Sequence, residues 1–200
     1  MKNVCTLYLI RHGETSWNVK RLIQGHRDIP LNEKGKVQAR KLAAELKGIH
    51  FDAIYSSDLK RASQTAELIG RQHRLPVTVS RALRERDFGK FSGEAYKSNK
   101  NLDRFIRELK KKSKTKEIES DDDLMARFTG FLRKVTSVNL GKTVLVVSHA
   151  GPMRTFLVRL KWGTYENLTE GCISNLAYIK LQSKGKNFTV TETFGITKIG

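Results

Sequence analysis

Acidic residues are the scarce charge in this 200-residue chain: 20 Asp and Glu stand against 38 Lys and Arg, a formal +18 at pH 7 with a pI near 10.1. Cysteine is scarcer still. Cys5 and Cys172 are far apart and outside any CxxC or Cys/His cluster, which excludes a disulfide framework or zinc site and reads as two reduced, partly buried thiols. No apolar run approaches the roughly 20 residues needed to cross a bilayer, so a soluble protein without membrane insertion is expected. The start, "MKNVCTLYLI", passes into "RHGETSWN" without a small-residue cleavage site and reads as a strand, not a signal peptide. Cytoplasm is the default location. With only 3 prolines, no Pro/Gly/Ser-rich linker and no internal repeat, residues 1–200 read as a single domain.

The positive excess is what the chain does have. Such a field draws anions, whether phosphorylated metabolites, nucleic acid or acidic lipid. Much of it lies in "RELKKKSKTK", Arg107 to Lys116, where no aromatics are interleaved, so a solvated lysine-rich face or loop is the reading. Any nucleic-acid binding should be unspecific and steeply salt-dependent.

Strand-length apolar runs alternate with segments of helical period, the pattern of an α/β fold. Val4 to Ile10 is the first strand. Asn32 caps a helix whose Ala39, Leu42, Ala43 and Leu46 share one face and which stops at Gly48. Asp52 to Ser56 is a second strand, followed by a helix with Ser57 as candidate cap, Leu59, Ala62, Ala66 and Ile69 as its buried stripe, and an end near Gly70. A short strand falls around Pro76 to Val79. Residues Arg81 to Ser120 read as an irregular excursion with one helix through Leu102 to Leu109. Ser120 and three aspartates suit a helix start, with Leu124, Phe128, Phe131 and Val135 inward. Thr143 to Val147 is apolar enough to be a central strand, and a helix begins near Pro152. "SNLAYIKLQSKGKNFTVTETF" reads as an antiparallel edge hairpin turning at Lys184 to Lys186.

Two of the five histidines share a setting. His12 and His149 each follow an apolar strand directly and precede a small residue, Gly13 or Ala150. Ligands of open α/β sheets sit outside the carboxyl ends of the strands, so two such imidazoles can face one crevice, with Arg11 beside the first. His26, His50 and His73 read as surface or loop residues. Arg61 lies in the first turn of the helix after the second strand, where the dipole disfavours a cation. A bound anion would reverse that penalty; a pairing with Asp58 is the other reading.

"LIRHGETSWN" (9–18), "SDLKRASQTA" (57–66), "LRERDFGKFSG" (83–93) and "VVSHAG" (146–151) together resemble the histidine phosphatase superfamily, in its phosphoglycerate mutase-like branch. The resemblance implies a three-layer αβα sandwich with a mostly parallel sheet and an antiparallel edge. It also implies that His12 attacks phosphorus and is transiently phosphorylated, its other nitrogen held by an acceptor such as the Gly13 carbonyl. Arg11, Arg61 and His149 would hold the phosphoryl oxygens. Asn18 matches a position that contributes an amide to the same phosphate, though a loop-capping role is open. Gln24 and Gly25 match positions at the substrate mouth. Glu85, in the pattern of Leu83, Glu85, Gly89 and Gly93, would be proton donor and acceptor. Its alternatives are a surface glutamate neutralised by Arg84 and Arg86, or the neighbouring Asp87 in its place. Ala150 departs from the acid-phosphatase branch, where an Asp follows the second histidine. No metal or other cofactor is expected, since cationic side chains take the metal's place.

The Arg81 to Ser120 excursion is short beside the insertion of cofactor-dependent mutases, so hydrolysis of small phosphomonoesters is the first expectation and phosphoglycerate mutase the second. A basic protein binding phospholigands or nucleic acid without turnover is the alternative of another class. Neither the substrate nor the oligomeric state is encoded legibly.

Overall fold

The computed structural model describes residues 4–95, 118–169, 171–185 and 187–199. The helix expected at 102–109 and the lysine-rich tract at 107–116 lie outside them. Six strands form one sheet: β1 (Cys5–Arg11), β2 (Ala53–Ser57), β3 (Val77–Ser80), β4 (Thr143–Ser148), β5 (Ile173–Lys184) and β6 (Asn187–Ile196), in the order β3-β2-β4-β1-β5-β6. β3, β2, β4 and β1 run parallel; β5 is antiparallel to β1, and β6 to β5, which makes the edge hairpin.

Alternation along the central strands divides the interior into two layers. Leu7 and Leu9 of β1 and Val144 and Val146 of β4 pack under α4 (Asp121–Val138) and α5 (Ala150–Arg159). Tyr8, Ile10, Leu145 and Val147 pack under α2 (Glu33–Glu45) and α3 (Lys60–His73). A short helix, α1 (Ser16–Val19), follows β1. The result is the three-layer αβα sandwich, and β4, buried on both faces, lies at its centre.

Several boundaries differ from the sequence expectation. Ser57 ends β2 and does not cap α3; Leu59 occupies the N-cap, and Asp28 from a distant loop accepts the Lys60 N–H at 2.7 Å instead. α3 runs past Gly70 to His73 because Arg74 adopts the left-handed conformation that ends it, φ 55°. α5 begins at Ala150, with His149 as N-cap, so Pro152 lies inside the first turn. On α4 the fully buried stripe is Leu124, Phe128, Leu132 and Val135, whereas Phe131 is only half-buried against it. Asn32 and Ser120 do cap their helices, accepting from Gly35 N at 2.7 Å and Asp123 N at 3.1 Å.

One close approach fixes the loop that follows β1. A Cβ on Gly35 would lie 2.1 Å from the Glu14 carbonyl oxygen, and one on Gly13 would lie 2.7 Å from the Gly35 oxygen. Both obstacles are main chain and cannot rotate away. Alanine at Gly35 gains up to about 1 kcal/mol of helix propensity, but the clash costs roughly 1–3 kcal/mol or more. Gly35→Ala is therefore expected to lower the melting temperature by several degrees in a calorimetric scan, and an unchanged transition would remove this packing from the account.

Candidate active site

The register of β1 on β4 decides the site. Arg11 lies opposite Ser148, so the next residues of two adjacent parallel strands are His12 and His149, joined across the sheet by His12 N–H donating to the Ser148 carbonyl at 3.0 Å. Their rings stand 5.2 Å apart between centroids, tilted by 60°. Both are buried, and His12 lines a cavity of about 290 Å³ together with Arg11, Asn18, Gln24, Gly25, Arg61 and Glu85. Arg11, His12, Asn18, Gln24, Gly25, Arg61 and Glu85 thus border one cavity, and His149 stands directly beside His12.

Hydrogen bonds assign the tautomers. His12 Nδ1 meets the Gly13 carbonyl at 2.7 Å, so Nδ1 carries the proton and Nε2 keeps its lone pair. Arg61 Nε–H, which can only donate, points to His149 Nδ1 at 3.2 Å, so the His149 proton sits on Nε2, a buried donor with no partner among the described residues. An unsatisfied buried donor costs about 1–3 kcal/mol, a penalty an anionic ligand would lift.

Both imidazoles are held well below the ordinary histidine range. Burial is the main cause for each, followed by Arg61, then by Arg11 for His12 and by His12 for His149. They are neutral at pH 7. Arg61, itself wholly buried, is pushed down to about 10 by desolvation and stays charged. The unfolded chain protonates these histidines below about pH 6.5 and the folded chain does not, so stability falls as pH drops through that value. The slope is about 1.4 kcal/mol per pH unit for each histidine. Urea unfolding in phosphate-free buffer should give a lower midpoint at pH 5.5 than at pH 7.5, with a shallower difference in His149→Gln. Equal midpoints for the wild type would contradict neutral, buried imidazoles.

Arg61 does not pair with Asp58. Arg84 takes that carboxylate in a two-pronged contact at 2.8 and 2.6 Å, while Arg61 Nη1 and Nη2 donate to the carbonyls of Arg27 and Gly25 at 2.7 Å each. Thr65 ties the first helical turn to the loop after β1: its Oγ1 accepts from Gly13 N at 3.0 Å and donates to the Arg61 carbonyl at 2.7 Å. Arg11, the last residue of β1, donates through Nη1 to the Ile173 carbonyl. A bulge in β5, where Leu176 has φ 61°, accompanies a bond from Asn175 Nδ2 to the His12 carbonyl at 3.0 Å.

Asn18 does cap the loop. Its Oδ1 accepts from Thr15 N and Oγ1, at 3.1 and 3.0 Å, which leaves its amide nitrogen, the donor end, to the cavity it lines. Gln24 is buried with Oε1 unpaired among the described residues, and Gly25 has φ 48°, where any side chain is strained, with a Cβ placed 2.5 Å from Ser92 Oγ. Leu22 and Ile23 line the mouth and pair with a second segment: Leu22 bridges Ala95, Ile23 N donates to the Glu94 carbonyl at 2.9 Å, and Gly93 N to the Ile23 carbonyl at 2.8 Å.

Neither arginine beside Glu85 neutralises it. Arg84 is taken by Asp58, and Arg86 by Asp121 Oδ1 at 2.7 Å and the Glu119 carbonyl at 2.6 Å. The Glu85 carboxylate accepts instead from Arg86 N at 2.8 Å and from Gly151 N, at the start of α5, at 3.3 Å. A Cβ at Gly151 would lie 2.1 Å from Glu85 Oε1, so only glycine leaves room for the carboxylate there. Asp87 accepts from Gly89 N and faces His26; it does not line the cavity.

Sequence reasoning missed Thr65, Asn175, Gly151, His26 and Arg127 as parts of this shell. Thr65, one helical turn beyond Arg61 on the buried stripe of α3, carried the only visible signal: a polar residue at a core position. Cys5 and Cys172 are both buried and are not joined in a disulfide, and burial pushes the Cys5 thiol up to about 11. Among the described residues no group of three metal-ligating side chains occurs, and no helix is long and apolar enough to cross a membrane.

Comparison with known proteins places the chain. The model of the histidine phosphatase superfamily (branch 1) matches residues 7–194. A broad-specificity phosphatase of Saccharomyces cerevisiae is 39% identical over 178 residues, covering 82% of this chain and 73% of the yeast protein. Phosphoserine phosphatase 1 of Hydrogenobacter thermophilus is 38% identical over 159 residues, 77% of this chain and 75% of its own. The crystal structure of a phosphoglycerate mutase from Bacillus anthracis superposes with a TM-score of 0.83 at 32% identity, covering 98% of this chain and 94% of that one.

Proposed function

Because the chain belongs to branch 1 of the histidine phosphatase superfamily, we propose that it hydrolyses phosphomonoesters of small metabolites through a phosphohistidine on His12. The observation that carries this reading is the orientation of one ring. His12 is neutral, its Nδ1 proton is spent on the Gly13 carbonyl, and Nε2 is left with its lone pair at a cavity that Arg11 and Arg61 also line.

In the first step Nε2 attacks phosphorus and the P–O bond to the leaving group breaks; the departing alkoxide takes the proton of Glu85. Arg11, Arg61 and the His149 Nε2–H stabilise the non-bridging oxygens throughout, work done elsewhere by metal ions. Each preorganised donor of this kind is worth roughly 10²–10³ in rate. In the second step water attacks phosphorus, gives its proton to the Glu85 carboxylate, and the P–N bond breaks. Inorganic phosphate leaves and His12 is neutral again. Asn18, Gln24 and Gly25 shape the rim through which the alcohol portion enters.

The names of the relatives, broad-specificity phosphatase and phosphoserine phosphatase, support hydrolysis of small substrates. A single catalytic domain over residues 1–200, a cytoplasmic setting and unspecific, salt-sensitive polyanion binding from the +18 charge belong to the same proposal. The test is a panel of phosphomonoesters assayed for inorganic phosphate, alongside interconversion of 2- and 3-phosphoglycerate. Phosphate release that outpaces interconversion is expected. Interconversion without release would make the protein a mutase, and neither activity would make it a phospholigand-binding protein.

A further inference from the structure

Glu85 belongs to an irregular stretch: a 3₁₀ turn at Arg81–Leu83 is followed by chain without regular hydrogen bonding until Gly89. A carboxylate on such a segment is only as well placed as the groups that hold its backbone. Here one side chain from another layer holds it. Arg127, about two turns into α4, donates from Nη1 to the carbonyls of Ala82 and Arg84 at 2.9 and 2.8 Å. Nη2 donates to the Glu85 carbonyl at 2.8 Å and to Glu119 Oε2 at 2.7 Å, and Nε to Glu119 Oε1 at 2.5 Å. A guanidinium has five N–H donors, so every one is engaged.

The surroundings brace the same turn. Glu119 Oε2 also accepts from Asp87 N at 3.1 Å, and on the opposite side His26 Nε2 meets the Glu85 carbonyl at 2.8 Å. Arg127 is not among the cavity-lining residues, so it has no direct contact to offer a substrate there. We propose that Arg127 is a positioning residue for proton transfer: by gathering the main-chain carbonyl groups of Ala82, Arg84 and Glu85, it fixes the Glu85 carboxyl against Gly151 N at the cavity wall. This rests on the reading of Glu85 as proton donor. Lysine cannot substitute, since its donors radiate from one nitrogen and cannot span the turn.

The test is a double-mutant cycle of Arg127→Lys and Glu85→Gln, read as the single-turnover rate of phosphoenzyme formation from β-glycerophosphate. Arg127→Lys should slow the wild type about 10- to 100-fold, the scale of a small misplacement of a reacting group, and the Glu85→Gln protein less than about twofold. The same factor in both backgrounds, or no slowing in the first, overturns the proposal for Arg127 alone. An unimpaired Glu85→Gln protein overturns the role of Glu85, and this inference with it. If circular dichroism shows Arg127→Lys to be unfolded, Glu119→Gln takes its place in the cycle. That change keeps one acceptor for the guanidinium and removes the charge that holds it. It must show the same lack of additivity, and additive losses overturn the proposal.

Discussion

His12→Ala is expected to lower phosphate release by about 10⁴-fold or more, the range seen when a covalent nucleophile is removed. The estimate rests on there being no substitute among the neighbouring groups. His149 is the nearest ring, but its Nδ1 is occupied by Arg61 and its Nε2 carries the proton, so it presents no lone pair to phosphorus. Loss of a neutral side chain leaves Arg11 and Arg61 in place, so inorganic phosphate should still bind within a few-fold of the wild-type affinity. Acid-labile phosphate should be trapped on the wild-type protein and not on the variant. A variant that turned over within tenfold of the wild type would refute the covalent route, and one that lost anion binding as well would point to collapse of the site.

Glu85→Gln should cost 10²–10⁴ in phosphoenzyme formation from alkyl phosphates, the usual contribution of a positioned acid, and less than about tenfold from p-nitrophenyl phosphate. The contrast follows from the leaving groups, because nitrophenolate departs without a proton whereas an alkoxide does not. Glutamine preserves the shape, and its amide oxygen can keep the shorter bond, from Arg86 N at 2.8 Å, while the longer one that the other carboxylate oxygen accepts from Gly151 N is given up. Binding should therefore change little. Rapid-quench measurement of the first turnover on both substrates decides the matter; an equal loss on both would assign Glu85 to holding substrate, not to moving a proton.

What could be read from residue types alone was the part fixed by local patterns. Apolar strands ending in Arg11–His12 and in His149 gave both the sheet and the convergence of the histidines, because the carboxyl ends of parallel strands meet by construction. Caps inside one segment, Asn32 and Ser120, were legible for the same reason. Where the partner comes from elsewhere in the chain, local reading failed. The start of α3 is satisfied by Asp28, more than 30 residues away, so Ser57 was misassigned. The alternative reading of Glu85, neutralised by Arg84 and Arg86, falls because Asp58, Asp121 and the Glu119 carbonyl take those guanidinium groups. Arg127 was invisible for a similar reason: on α4 it reads as one more surface cation, and only the fold reveals the three carbonyl groups beneath it.

The pairing of Leu22 and Ile23 with Gly93–Ala95 has a consequence for descent. This doorway is stitched to itself by main-chain bonds, while the groups proposed to act on phosphorus hang from β1, α3, β4 and the turn at residues 82–85. Side chains at positions 22 and 23 can therefore drift without disturbing the imidazoles or guanidinium groups. A duplicated gene can acquire a new alcohol preference in a few substitutions while inheriting its reaction intact.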